Sequence, residues 1–280
     1  MDAIEERWGE ASAMFDPHLL EGFEPRPSDV LICTASKAGT TWMQQILHQL
    51  RTGGDRDFVS INEVVPWLEL PERARASVEA QLASYDAIPD PRVFKTHLPA
   101  ERTPGAEVVK IVCVARSPLD CCVSHFHHLH GLTRELLDWL DYTPSADFDA
   151  YVAAWIERAD WFEVVPSWWA RREEPNVRWV RYADLRADPR AGVAQLAEAV
   201  GFGADAIEVA VELSSLDWMR AHEDRFTRLF REHPPSFEPR SFVRQGGGGR
   251  AELSPAQREA ILERARAALP DDAARSFFDV

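Results

Sequence analysis

Asp29-Val-Leu-Ile-Cys-Thr34, then Ala-Ser-Lys-Ala-Gly39, then Thr-Thr-Trp-Met-Gln-Gln-Ile-Leu-His-Gln-Leu50 is the stretch that decides how this chain folds. The first run is short, apolar and bounded by polar residues, as a buried parallel strand should be. Small residues from Ala35 to Gly39 predict a turn. The spacing of Trp42, Ile46, Leu47 and Leu50 predicts a helix over 41–50 with one apolar side. A turn placed between a buried strand and a helix faces the helix's first amides, which carry partial positive charge. Gly39 lets backbone approach closely, Thr40 and Thr41 add hydroxyl donors, and Lys37 adds a cation. Together they read as a phosphate cradle rather than a plain strand-to-helix turn. The triphosphatase pattern Gly-x-x-x-x-Gly-Lys-Ser/Thr is absent, because the lysine comes two residues before Gly39.

The same strand–turn–helix grammar repeats outward. Strands are expected at 92–95, 108–115 and 176–182. Helices are expected at 120–129, after Pro118, and at 189–200, closed by Gly201. The Trp-rich block 151–169 reads as one long helix, and Ser254-Pro255 as the start of a last helix with proline in its first turn. Strands alternating with helices indicate an α/β fold in three layers, a central parallel sheet covered by helices on both faces. At roughly 150 residues per domain, a chain of 280 residues fits one large domain, here expected to span 1–280.

Composition limits the function classes. Apolar residues make up 45% and charged residues 28%, as in ordinary globular chains. Acidic residues outnumber basic ones by 46 to 31, a formal charge of −15, which disfavours a broad grip on nucleic acid or an anionic membrane. Any anionic substrate must therefore meet a local cluster of cations. The first residues are acidic with no apolar stretch, so no secretory signal is expected, and no run of about 18 apolar residues suggests an integral membrane segment. Cys33, Cys113, Cys121 and Cys122 lack metal-ligand spacing and read as reduced core residues, which suits a cytoplasmic protein.

Further chemistry sits where other strands end. Arg116 leaves the 108–115 strand at the place where open parallel sheets bind ligands. Ser124 follows two helical turns later, so the two can grip a second phosphate. His97, in Phe94-Lys95-Thr96-His97-Leu98-Pro99, stands just past a strand end and is placed to take a proton. His125, His127, His128 and His130 are less well placed, and no carboxylate or cysteine completes a metal set with them. Gly246 to Gly249 reads as either a surface loop or a backbone that comes close to a ligand. Trp67, Phe126, Trp139 and Tyr142 suit an apolar pocket or plain core packing.

These segments resemble the cytosolic-type sulfotransferases, which use 3′-phosphoadenosine 5′-phosphosulfate (PAPS) and release 3′-phosphoadenosine 5′-phosphate (PAP). Ser36 to Trp42 is similar to the family's 5′-phosphosulfate loop, with Ala38 where serine is usual, so the resemblance assigns Lys37, Ala38, Gly39, Thr40, Thr41 and Trp42 to the nucleotide. Lys95 to Pro99 resembles the segment with the catalytic histidine. Arg116 and Ser124 match the 3′-phosphate pair. Tyr182 resembles the tyrosine near adenine; Ser214, Leu216 and Met219 resemble the adenosine-side segment. Arg244, Gln245 and Gly246 resemble the Arg-Lys-Gly element, with Gln245 in the lysine's place. The later Gly-Asp-Trp and the dimer segment Lys-x-x-x-Thr-Val-x-x-x-Glu are missing, which leaves the oligomeric state open and raises Arg250 as a substitute charge. The resemblance implies a P-loop-like fold and sulfuryl transfer from PAPS, without metal, to a hydroxyl or amine of a small-molecule or lipid acceptor. In it His97 takes the acceptor proton, Lys37 neutralises the bridging oxygen, Lys95 stabilises the moving group, and Ser124 binds the 3′-phosphate and restrains Lys37. Two rivals stand beside it: a P-loop kinase of small molecules and a PAP-binding protein without catalysis.

Overall fold

The computed structural model describes residues 3–72, 77–229, 234–244, 246–247 and 249–280. Gln245 and Gly248 lie outside the described residues. Four strands, β1 (Val30–Cys33), β2 (Val93–Thr96), β3 (Lys110–Ala115) and β4 (Val177–Arg181), form one parallel sheet in the order β2-β1-β3-β4. Side chains alternate strictly along them. Leu31, Cys33, Phe94, Ile111 and Cys113 enter one buried cluster, whereas Val30, Ile32, Val93, Val112 and Val114 enter another. Both faces are therefore covered, which is why these strands read as unbroken apolar runs. Helices Pro118–His130, Phe148–Arg158, Trp161–Ala170 and Pro255–Ala268 supply the first face; Thr40–Thr52, Pro189–Val200 and Ile207–Leu213 supply the second. This is the expected three-layer arrangement. No helix among the described residues is long and apolar enough to cross a membrane.

Local expectations differ from the structure in three places. The 151–169 block is two helices, Phe148–Arg158 and Trp161–Ala170, parted by an extended Ala159. The break has a cause: the Asp160 carboxylate accepts the Ser36 amide hydrogen at 2.8 Å, which draws the chain to the turn after β1. Strand β3 begins at Lys110 rather than 108, because the amides of Val108 and Val109 are spent on the Gly105 carbonyl. Helix Pro255–Ala268 opens with a full capping box at Ser254 and Gln257, but it is not the last. Asp271 caps a further helix, Asp272–Phe277, which seats Phe278 edge-on against Trp161 and Trp179. All four cysteines are free and buried.

At the N-terminal ends of β1 and β2 a fully buried ion pair joins the two strands. Arg92 donates to both Asp29 oxygens, Nε at 2.9 Å and Nη2 at 2.6 Å. Its remaining donors reach Asp86 Oδ1 at 2.7 Å and the Glu24 carbonyl at 2.9 Å, and the Asp29 carboxylate also accepts the Arg26 amide hydrogen. Phe23 and Phe94 flank the guanidinium. A bidentate pair with both carboxylate oxygens and all three guanidinium nitrogens engaged tolerates burial; half of one does not. Arg92→Met should therefore destabilise the fold by about 3–5 kcal/mol, since it strands the Asp29 charge. Urea unfolding checks this, and a loss below about 1 kcal/mol would show that the pair is dispensable.

Candidate active site

The strand order places a gap where ligands bind in open parallel sheets. Chain leaving β1 turns toward β2, and chain leaving β3 turns toward β4, so the two loops diverge at their carboxyl ends. The loop after β1 holds Lys37 at φ 65° and Gly39 at φ 115°. Left-handed backbone is costly for lysine, and its persistence in a loop points to a functional constraint. At Gly39 even the space is taken, because an added Cβ would sit 2.8 Å from Tyr182 Cδ2. The Ala38 methyl is buried in the core. Beneath the loop the Thr34 and Thr40 hydroxyls meet at 2.7 Å, so Thr40 is partly engaged inward. Helix Thr40–Thr52 then begins, and its first amides have no partner within the helix.

The loop after β3 is tied to the first one. Arg116 Nη1 donates to the Lys37 carbonyl at 2.6 Å, and its guanidinium lies 4.6 Å from the Tyr182 ring centre. Tyr182 in turn donates its hydroxyl to the Gly246 carbonyl at 3.0 Å and packs edge-on against Trp42. Trp42 Nε1 donates to the Ser214 carbonyl at 2.8 Å. One chain of contacts thus spans both loops, the helix after β1, the Ser214 segment and the glycine-rich segment.

These pieces enclose a cavity of about 630 Å³. Lys37, Gly39, Thr40, Thr41, Trp42, Lys95, His97, Arg116, Ser124 and Tyr182 line it, as do Ser214, Leu216, Met219, Arg244 and Gly246. Of the residues singled out in the sequence, Ala38 lies behind the wall and Gln245 falls outside the described residues. Two observations suit an anion between the loops. Arg116 Nε and Ser117 Oγ are buried without a hydrogen-bond partner, and Gly39 lines the cavity with left-handed backbone and no side chain. Arg250, raised as a substitute charge for the lysine missing at 245, makes two bonds to Asp120, at 3.2 and 2.7 Å.

Lys37, Lys95 and His97 are pushed toward their neutral forms. Burial, helped by Arg116 and Lys95, lowers the Lys37 ammonium to about 7. Burial lowers Lys95 to about 8 against an opposing pull from Glu69. His97 lies below its ordinary range because it is buried and faces Lys95. Its Nδ1 is 2.7 Å from the Thr34 carbonyl, which can only accept, so Nδ1 carries the proton and Nε2 keeps its lone pair. The Trp67 ring stands edge-on to His97 at 5.0 Å and lies 4.5 Å from Lys95 Nζ.

Two of the other histidines, His125 and His128, face the cavity. Lys37 Nζ meets His128 Nδ1 at 2.7 Å, not Ser124. A signal was present: Asp120, Ser124 and His128 recur every fourth residue on the Pro118–His130 helix and share its cavity face. No such signal marked Glu69, which accepts the His97 amide hydrogen from a distant loop. Trp67 lines the cavity, but Phe126 packs in the core and Trp139 and Tyr142 are exposed. One stretch of the wall is apolar, with Leu129, Leu132, Leu136, Phe237 and Phe242.

Known proteins share this fold. Residues 27–271 match the family described as the sulfotransferase domain. Sulfotransferase 1C2 of Oryctolagus cuniculus is 29% identical over 207 residues, 71% of this chain and 64% of that one. The chain thus spans less than two thirds of that relative's length. Sulfotransferase 1B1 of Canis lupus familiaris is 30% identical over 190 residues, 64% of this chain and 60% of its own. Among solved structures, a mouse sulfotransferase complexed with PAP superposes with a TM-score of 0.72 at 18% identity, covering 96% of this chain and 94% of that one. A retinol dehydratase in complex with androsterone and PAP gives 0.65 at 19%, covering 90% and 83%. Since the match runs unbroken through both strand-end loops and the walls of the cavity they enclose, the chain belongs to the sulfotransferase family.

Proposed function

We propose that this chain, as one sulfotransferase domain over 1–280, transfers a sulfuryl group from PAPS to a hydroxyl or amine of an apolar small-molecule or lipid acceptor. The observation that carries the reading is His97: its free Nε2 shares one cavity with Lys37 and Lys95 at the divergence of two anion-suited loops. The amides of 40–42, with Thr41 and Lys37, hold the 5′ side of the donor; Arg116 and Ser124 hold the 3′-phosphate. Tyr182, Trp42, Leu216 and Met219 flank the adenosine, with Arg244, Gln245 and Gly246 covering it.

His97 is neutral across the physiological range, so Nε2 is ready to take the acceptor proton without first losing one. Lys37 and Lys95 neutralise charge that develops as the bond to the leaving phosphate stretches. In-line displacement of this kind asks the protein mainly for positioning and electrostatics, as in phosphoryl transfer. A metal is not required where ammonium groups, amides and hydroxyls already face the donor. The apolar wall from Leu129 to Phe242 suits an acceptor such as a phenol, steroid or lipid; androsterone and retinol occupy structures of relatives with this fold. Four free thiols suit a cytoplasmic setting.

His97→Ala should lower turnover of labelled PAPS by about 10²–10⁴-fold while PAP affinity stays nearly constant. Wild-type turnover in that variant would assign the base elsewhere. Equally, PAP should bind more tightly than 5′-AMP, by about 1.5–3 kcal/mol for each charged bond to the 3′-phosphate, and Arg116→Ala should erase most of that difference in calorimetry. Equal affinities in the wild type would remove the second phosphate site. The pH dependence follows from Lys37. Its cationic form, which grips the donor, is lost as pH rises through about 7 in the empty site. PAP affinity should accordingly fall between pH 6 and pH 8.5, and a flat profile would show that Lys37 does not touch the nucleotide.

A further inference from the structure

Glu69 is the least expected group beside the cavity. It is buried, far in sequence from the strand ends, and lies on a loop that adds a short parallel rung to β2. Lys95 donates its amide hydrogen to the Pro66 carbonyl at 2.8 Å, and Leu68 donates to the Lys95 carbonyl at 2.9 Å. From this rung Trp67 places its ring against both Lys95 and His97. Glu69 Oε1 accepts the His97 amide hydrogen at 3.0 Å, while Oε2 is buried with no hydrogen-bond partner.

A carboxylate with one bare oxygen is expensive to bury unless a cation compensates it. Glutamine would hold the His97 amide hydrogen through its carbonyl just as well. The position therefore keeps the charge for its own sake, and the charge has neighbours. Lys95 and His97 both feel Glu69 as a field favouring their protonated forms, and Cys33, behind them in β1, feels it as repulsion. The other titratable or charged groups facing this corner are Lys37, His125, His128 and Arg171. Each of the first three is disfavoured from charging by burial and by the local lysines. Glu69 thus opposes the crowding that the two lysines create.

We propose that Glu69 is a positioning residue for the Lys95–His97 strand end: it clamps the His97 backbone and supplies the buried negative charge that keeps Lys95 an ammonium. The catalytic consequence rests on the sulfuryl-transfer reading; the electrostatic one does not.

The test exploits an oddity of composition. The chain has only three lysines, Lys37, Lys95 and Lys110. Selective ¹³C-lysine labelling thus yields three side-chain signals, assigned with Lys110→Arg, whose lysine caps the Val200 carbonyl outside the cavity. In Glu69→Gln the Lys95 midpoint should fall from about 8 by more than about half a pH unit, with Lys110 unmoved. In a PAPS assay the alkaline limb of kcat should move down by the same amount, with KM for PAPS within about twofold. Glu69→Asp keeps the charge but draws it back by a methylene. It should largely restore the midpoint while kcat stays low, and it replaces Glu69→Gln should that variant not fold. An unmoved Lys95 midpoint in Glu69→Gln, or in Glu69→Asp the loss of the midpoint along with kcat, overturns the proposal. A shifted midpoint in a protein without sulfuryl transfer would support Glu69's charge role and overturn the function proposed above.

Discussion

The bond from Arg116 to the Lys37 carbonyl is the tie on which the cavity depends. Two loops leave adjacent strands in opposite directions, and nothing in a parallel sheet holds such loops together. The guanidinium does so at 2.6 Å, engaging the Lys37 carbonyl and leaving its own Nε without a partner. The lysine's left-handed backbone and the Tyr182 ring pressed on Gly39 follow from the same closure. The first amides of helix Thr40–Thr52, without partners inside the helix, belong to the same closed loop, which is what an anion needs.

A second constraint is chemical. Of the 31 basic residues, 28 are arginine and three are lysine, and two of those lysines sit in the cavity. Arginine serves the surface and the buried pair with Asp29 because its planar fork never loses charge. Lysine differs in that burial moves its proton equilibrium: Lys37 falls to about 7 and Lys95 to about 8. A compact ammonium that can still release its proton suits a place where charge appears and disappears during a reaction. His128 accepting from Lys37 and Glu69 facing Lys95 set the two lysines apart, one leaning on a neutral ring and the other on a carboxylate.

The residues legible in the sequence were those whose meaning is local. Val30 to Cys33 could only be a strand buried on both faces, and a lysine, a glycine and two threonines after it could only be a turn feeding a helix. The same holds for Lys110 to Ala115 with Arg116 beyond, and for Pro189–Val200 closed by Gly201 in left-handed backbone. Hydrophobic periodicity and turn chemistry act over a few residues, so the strands, their helices and the candidate groups at the strand ends could be read from them. The sequence by itself determined the α/β architecture and gathered the chemistry at one end of the sheet.

Only the tertiary structure decided which groups answer one another across that end. Glu69 reaches His97 from 28 residues away, and His128 reaches Lys37 from 91. Asp160 breaks a helix to meet Ser36, and Arg250 bonds to Asp120 from 130 residues away. The tautomer of His97 follows from the Thr34 carbonyl, another contact between strand ends. Periodicity carries no information about such pairs, because each is set by the angle and spacing of strands that meet only after the sheet has formed. Burial then sets the charges: the same lysine that is always protonated in an unfolded chain is poised near neutrality once the low-dielectric walls close around it.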